Sequence, residues 1–176
     1  MDVAERIARA FPRAMTREAE AAAATVASMG ATLSPDGFRV VAGAELVTIP
    51  ERLYVEERNL LASGNGLVAC LLTRHHDGFV RQRALERVLR LDTLWAVPFV
   101  VRLVGEYVVE IVEQIDDGFA ELPLDHVSAF VVANPDFMRL TRARVTSYWS
   151  CYYRNTPHRE YVGFRLMDRI EASAVG

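Results

Sequence analysis

The chain has 4 histidines, and two of them stand side by side in "RHHDG", residues 74–78. His75, His76 and Asp77 are residue types that ligate metals, relay protons or cap helices. Spacing decides among these uses. Neighbouring side chains in a turn diverge, and the helical zinc spacing H-E-x-x-H, which brings two histidines onto one face, is absent. An aspartate placed just before a new apolar-periodic run has a different use, because the first N–H groups of a helix lack intrahelical partners. The pattern therefore predicts that Asp77 caps a helix opening near Phe79, that Gly78 relieves the turn, and that one histidine turns inward and the other outward. Under an enzymatic reading His75 and His76 are the candidate acid–base groups.

A second constellation is Arg102, Glu106, Glu110 and Glu113, set in the otherwise apolar "LWAVPFVVRLVGEYVVEIVEQI". Read as one long helix, Thr93–Ile115, these four charges fall within an arc of about 80°. Arg102 and Glu106 are spaced to pair. A helix apolar around most of its circumference is central, so Val101, Val104, Val108, Ile111 and Val112 are expected in a core, of the monomer or of a dimer. Glu106 and Glu110 are the further catalytic candidates. The E-x-x-H units of di-iron bundles are missing, and neither a metal nor a cofactor is expected.

The third constellation is "RLTRARVTSYWSCYYRNTPHREY". A helix opening at Asn134-Pro135 brings Phe137, Met138, Val145, Tyr148, Trp149 and Tyr152 to one face, with Arg142 and Arg144 at its edges. An aromatic stripe at helical spacing reads first as core. The same end of the helix holds the candidate ligand-binding set: Arg142, Arg144, Tyr148, Trp149 and Tyr152. A nucleophilic pair of Cys151 with His158 would have to converge across Pro157, and no oxyanion-hole signature accompanies it.

The elements that must position these groups are mostly helical. Thr16 is placed to cap "TREAEAAAATVASMG", and Gly30 to end it. The period then changes. Ser34-Pro35-Asp36-Gly37 is a turn, and Phe38–Ala42 and Glu45–Ile49 are β-rich runs joined by Gly43-Ala44, a small hairpin. From about Ser63 onward the signals are helical throughout. Within this region Asp77, Val80, Arg81, Ala84 and Leu85 in "LLTRHHDGFVRQRALERVL" resemble the middle of a HEAT repeat, in which a turn aspartate precedes a Val-Arg and an Ala-Leu pair. The resemblance covers this one helix hairpin and implies that its two helices pack together. The adjacent His-Asp pair is similar to that of HD-type metal phosphohydrolases, but their ligand set includes a histidine further upstream, and none precedes His75.

Composition narrows the function classes. All 20 basic residues are arginine, a bacterial-like usage that fits GC-rich codon bias. Without lysine there is no Schiff-base chemistry and no phosphate loop of the G-x-x-x-x-G-K-[ST] type. A net charge of -3 argues against general nucleic-acid binding. The apolar 94–115 stretch is too frequently charged to span a membrane. Two isolated cysteines fit a reducing, cytoplasmic setting. The expectation is a mainly α chain of one domain, 1–176, with residues 1–62 as a helix-plus-hairpin appendage and 63–176 as a bundle around a long central helix. The function expected is binding, through self-association or a protein partner. The alternative is an enzyme or small-ligand binder whose His/Glu/Arg/Tyr-lined pocket uses a metal.

Overall fold

A computed structural model describes residues 2–57 and 59–174. Among these residues the protein is mainly α-helical, with a small antiparallel hairpin in the N-terminal half. Its contacts divide it into two compact units, Met1–Val88 and Leu89–Gly176.

The first unit opens with α1 (Val3–Ala8), capped by Asp2, whose Oδ1 accepts from the Glu5 N–H at 2.7 Å. Helix α2 (Thr16–Ser28) buries Ala19, Ala22, Ala23 and Val26, the i, i+3, i+4, i+7 stripe that its alanine-rich sequence provides. Gly30, at φ 76°, stops it in the left-handed conformation. Thr16 is not the cap: it is the first helical residue, and its hydroxyl donates to the Arg13 carbonyl at 2.6 Å. Two strands follow, β1 (Thr32–Leu33) and β2 (Gly37–Ala42), then β3 (Glu45–Pro50) and β4 (Leu53–Tyr54). Strands β2 and β3 form the expected antiparallel hairpin, with Phe38 opposite Ile49 and Val40 opposite Val47, around a turn in which Gly43 adopts φ 69°. Alternation sends Phe38, Val40, Ala42, Val47 and Ile49 inward. Each of the valine, isoleucine and phenylalanine side chains contributes about 1.5–3 kcal/mol by leaving water. The short β1–β4 pair is additional to the expected hairpin.

Two helices complete this unit. Asn65 caps α3 (Gly66–Leu72) by accepting from the Leu67 and Val68 N–H groups. Every residue from Leu67 to Leu72 is buried. After the "RHHDG" turn, α4 (Gly78–Val88) buries Val80, Arg81, Ala84, Leu85 and Val88 and packs on α3. Four of the five residues that carry the HEAT resemblance are thus the packed face of this hairpin.

In the second unit the expected long helix is two helices, α5 (Val97–Val104) and α6 (Val109–Asp117). The chain leaves helical geometry at Gly105, with ψ 33°, and Val108 is extended. Gly105 admits a neighbour: a Cβ there would lie 3.3 Å from the Arg144 Cβ and 3.6 Å from the Thr141 Cγ2. All of α5 is buried, Arg102 included. Val101, Val104, Ile111 and Val112 are core, as expected, while Val108 in the break is half-buried. Helices α7 (Leu124–Ala133), α8 (Pro135–Tyr152) and α9 (Val162–Ala172) follow. Pro135 opens α8 at its first turn. Among the described residues no helix is long and apolar enough to cross a membrane.

Candidate functional site

In the "RHHDG" turn the polar groups serve the fold. His75 is buried, and its Nε2 lies 2.7 Å from the Val55 carbonyl. Its Nδ1 accepts from the Asp77 N–H at 3.0 Å. An acceptor at Nδ1 requires the proton on Nε2, which then donates to Val55, so the two bonds define one neutral tautomer. Burial lowers the pKa of this imidazole from 6.5, opposed by its backbone bond to Val55. His76 is exposed and stacks on Tyr54 at 5.3 Å. Asp77 caps α4, its Oδ1 accepting from the Phe79 N–H at 2.8 Å.

Two buried arginines brace the same turn. The Arg81 Nη1 donates to the carbonyls of His75 and His76, at 2.9 and 3.0 Å. Arg74 donates to the Glu51 carbonyl at 2.8 Å and lies 3.5 Å from the Glu51 carboxylate. The backbone joins in as well. Leu53 N–H donates to Arg74 O, and His76 N–H donates to Leu53 O, so β4 is pinned to the turn. Arginine is seldom buried; Arg81 belongs to the HEAT-like pattern, whereas nothing local in the sequence marked Arg74.

The glutamate stripe divides at the helix break. Arg102 and Glu106 are buried, whereas Glu110 and Glu113 are exposed on α6. Glu110 sits in the first turn of α6, where a carboxylate faces the positive end of the helix dipole. His75 and His76 belong to the first unit; Glu106, Glu110, Arg142, Arg144 and the candidate tyrosines belong to the second. Among the described residues no group of three or more His, Cys, Asp or Glu is arranged to hold a metal ion.

On α8 the aromatic stripe runs from core to surface. Phe137, Met138 and Val145 are buried, Tyr148 and Trp149 half-buried, and Tyr152 is 69% exposed. The Trp149 Nε1–H donates to the Thr156 carbonyl at 2.9 Å, tying the following loop to the helix. Tyr148 sits between Tyr107 and Tyr152, with ring centroids at 6.1 and 6.3 Å, and Tyr153 adjoins Tyr152 at 6.4 Å. The four rings form a ladder, and the Tyr153 hydroxyl donates to the Tyr107 carbonyl at 2.9 Å. Arg142 is engaged elsewhere: it forms a two-pronged bond with Glu171 and a third with Asp168. The Glu171 bond raises its pKa further. Arg144 lies over Gly105. Cys151 is exposed, and His158 stacks instead on Phe164 at 3.6 Å.

Below the ladder lies a cleft of about 470 Å³ that the sequence did not reveal. Val109, Glu113, Asp116 and Asp117 of α6 form one wall; Tyr153, Glu160 and Tyr161 form the other. Asp116 is neutralised by Arg165, at 3.1 Å, and by Arg169. Tyr153 and Tyr161 stack with centroids 5.3 Å apart. Tyr161 is only 4% exposed, and burial pushes its phenol up to about 12. The ring is held by close packing: a Cβ on Gly163 would fall 2.7 Å from its Cε1 and 2.9 Å from Val145 Cγ1. The juxtaposition of Tyr153 and Tyr161 has no local signature, because residues 154–160 of irregular chain must fold back to create it.

Chemically, the first unit offers a turn closed mainly on the backbone and the second an aromatic surface beside an acidic cleft. Comparison with protein-family models, with curated proteins and with solved structures finds no match for this chain.

Proposed function

We propose that this chain is a non-catalytic domain that acts by binding protein, with the tyrosine ladder as its contact surface. One observation carries the reading: Tyr107 and Tyr152 are 48% and 69% exposed at the two sides of Tyr148. Tyrosine gives large contact area at low entropic cost, and aromatic residues are enriched at the buried centres of interfaces. The histidines support the same reading, because both ring nitrogens of His75 are committed to backbone groups.

A photo-crosslinking amino acid placed at Tyr152 tests this in the source cells, with one at the exposed Glu18 on α2 as control. Light scattering on the purified chain, across a range of concentrations, tells self-association from a different partner. The expected result is a discrete adduct at Tyr152 that is absent at Glu18 and is lost on Tyr107→Ser. A monomer at every concentration, with no adduct at Tyr152 above the control, overturns the reading.

A further inference from the structure

We propose that the cleft under the tyrosine ladder receives an arginine side chain from a basic segment of a partner protein, held by Tyr161, Tyr153 and the carboxylates of Glu113 and Asp117. The proposal rests on the binding reading above and names the chemistry of the partner.

Three observations point to a cation. The first is a nearly buried tyrosine whose hydroxyl opens into the cleft. The Tyr161 hydroxyl belongs to a ring 4% exposed that lines the cleft, and among the described residues it has no hydrogen-bond partner. That hydroxyl opens into the cleft rather than being sealed in the core, so a ligand there can take the place of water as its partner. The second is charge. Asp116 is satisfied by Arg165 and Arg169, but Glu113, Asp117 and Glu160 make no ion pair among the described residues. The wall therefore keeps an excess of negative charge. The third is the half-buried Tyr153 ring, stacked on Tyr161 and lining the cleft, a π surface over which a guanidinium settles. A planar fork of N–H donors suits this set: it can bond two carboxylates and a phenol oxygen at once while stacking on a ring.

The exposed ladder that continues from Tyr153 decides for a peptide over a free small cation. A small cation in the cleft would leave Tyr148 and Tyr152 uncovered, whereas a chain segment anchored by its arginine runs on across them.

The test uses the full purified chain and a dye-labelled, end-blocked peptide of alternating arginine and glycine, read by fluorescence anisotropy. A matched peptide with citrulline, which keeps the shape and loses the charge, is the first control. Free arginine and spermidine are the second. The arginine peptide is expected to bind, with the citrulline peptide at least about tenfold weaker and the affinity falling as salt is raised. Glu113→Gln with Asp117→Asn should cost about tenfold or more, and Tyr161→Phe about threefold to tenfold. Circular dichroism checks that the variants fold; Glu160→Gln on the exposed loop is the substitute should the double variant not. Equal binding of the citrulline peptide, or affinity unchanged in the variants, overturns the proposal. Free arginine or spermidine binding as tightly as the peptide overturns its peptide part. A Tyr152 crosslink that persists in the Glu113→Gln/Asp117→Asn variant removes the basic segment while leaving the binding reading intact.

Discussion

At residues 74–78 the buried polar groups turn back into the fold, whereas at residues 148–161 most polar side chains are half-buried or exposed. Both regions gather aromatic, charged and hydrogen-bonding side chains, and both could be taken for a site from the sequence. In the "RHHDG" turn His75 uses both ring nitrogens, Asp77 caps α4, and Arg81 spans two carbonyls. At the end of α8 the tyrosines stack mainly on one another, and the cleft beside them keeps carboxylates without ion-pair partners among the described residues. A dense polar cluster is structural where its side chains bond mainly to the backbone, as in this turn, and open to a ligand where they face a cleft. Residue type alone does not distinguish the two; the hydrogen-bond inventory does.

The turn is most vulnerable at Arg81. Arg81→Ala removes a buried cation and strands the carbonyls of His75 and His76, and should destabilise the first unit by about 3–5 kcal/mol. A urea titration showing a loss below about 1 kcal/mol would mean that the turn is held by something else. The cap comes next. Asp77→Ala should cost about 0.5–2 kcal/mol and Asp77→Asn much less, because asparagine also accepts from the Phe79 N–H. Equal losses in the two variants would point to a role for the charge.

His75 adds a pH dependence. Its folded pKa lies below the unfolded value of 6.5, mainly through burial. The unfolded chain therefore takes up the proton first, so this contribution to stability is complete above pH 6.5 and is lost as pH falls below it. Urea midpoints at pH 7.5 and 5.5 should show that loss in the wild type and a smaller one in His75→Gln. The smallest effect is expected in the other region. Tyr152→Ser should change stability by less than about 0.5 kcal/mol, since this ring is mostly in water. A larger loss would make the ladder part of the fold and remove it as a contact surface.

The sequence disclosed those features whose causes are local. The hairpin turn at Gly43-Ala44, the stop at Gly30, the Asp77 cap and the opening of α8 at Pro135 each depend on residues within a few positions. The break between α5 and α6 was hidden for the opposite reason. Val, Leu and Ile continue on both sides of it, and what distinguishes Gly105 is the approach of Arg144 and Thr141 from a helix far along the chain. The stripe drawn on one helix accordingly separated into a buried Arg102 and Glu106 and an exposed Glu110 and Glu113. The candidate site was legible only in its upper part. Tyr148 and Tyr152 lie at helical spacing, but the Tyr153–Tyr161 stack and its acidic wall are assembled by a loop folding back.

The arginine bracing of the turn also bears on how the first unit opens. The acceptors for Arg74 and Arg81 are the carbonyls of Pro50, Glu51, Thr73, His75 and His76, and Leu53 is bonded at both its N–H and its C=O to the same turn. The end of the hairpin, β4 and the α3–α4 connection are therefore cross-linked through groups that cannot be exposed one at a time. Fraying of β4, an element of only 2 residues, is suppressed by ties that extend far beyond its own length. Deuterium uptake at the Leu53 and His76 amides should then be as slow as at the centre of α3, so that the weakest-looking strand reports cooperative opening of the whole unit.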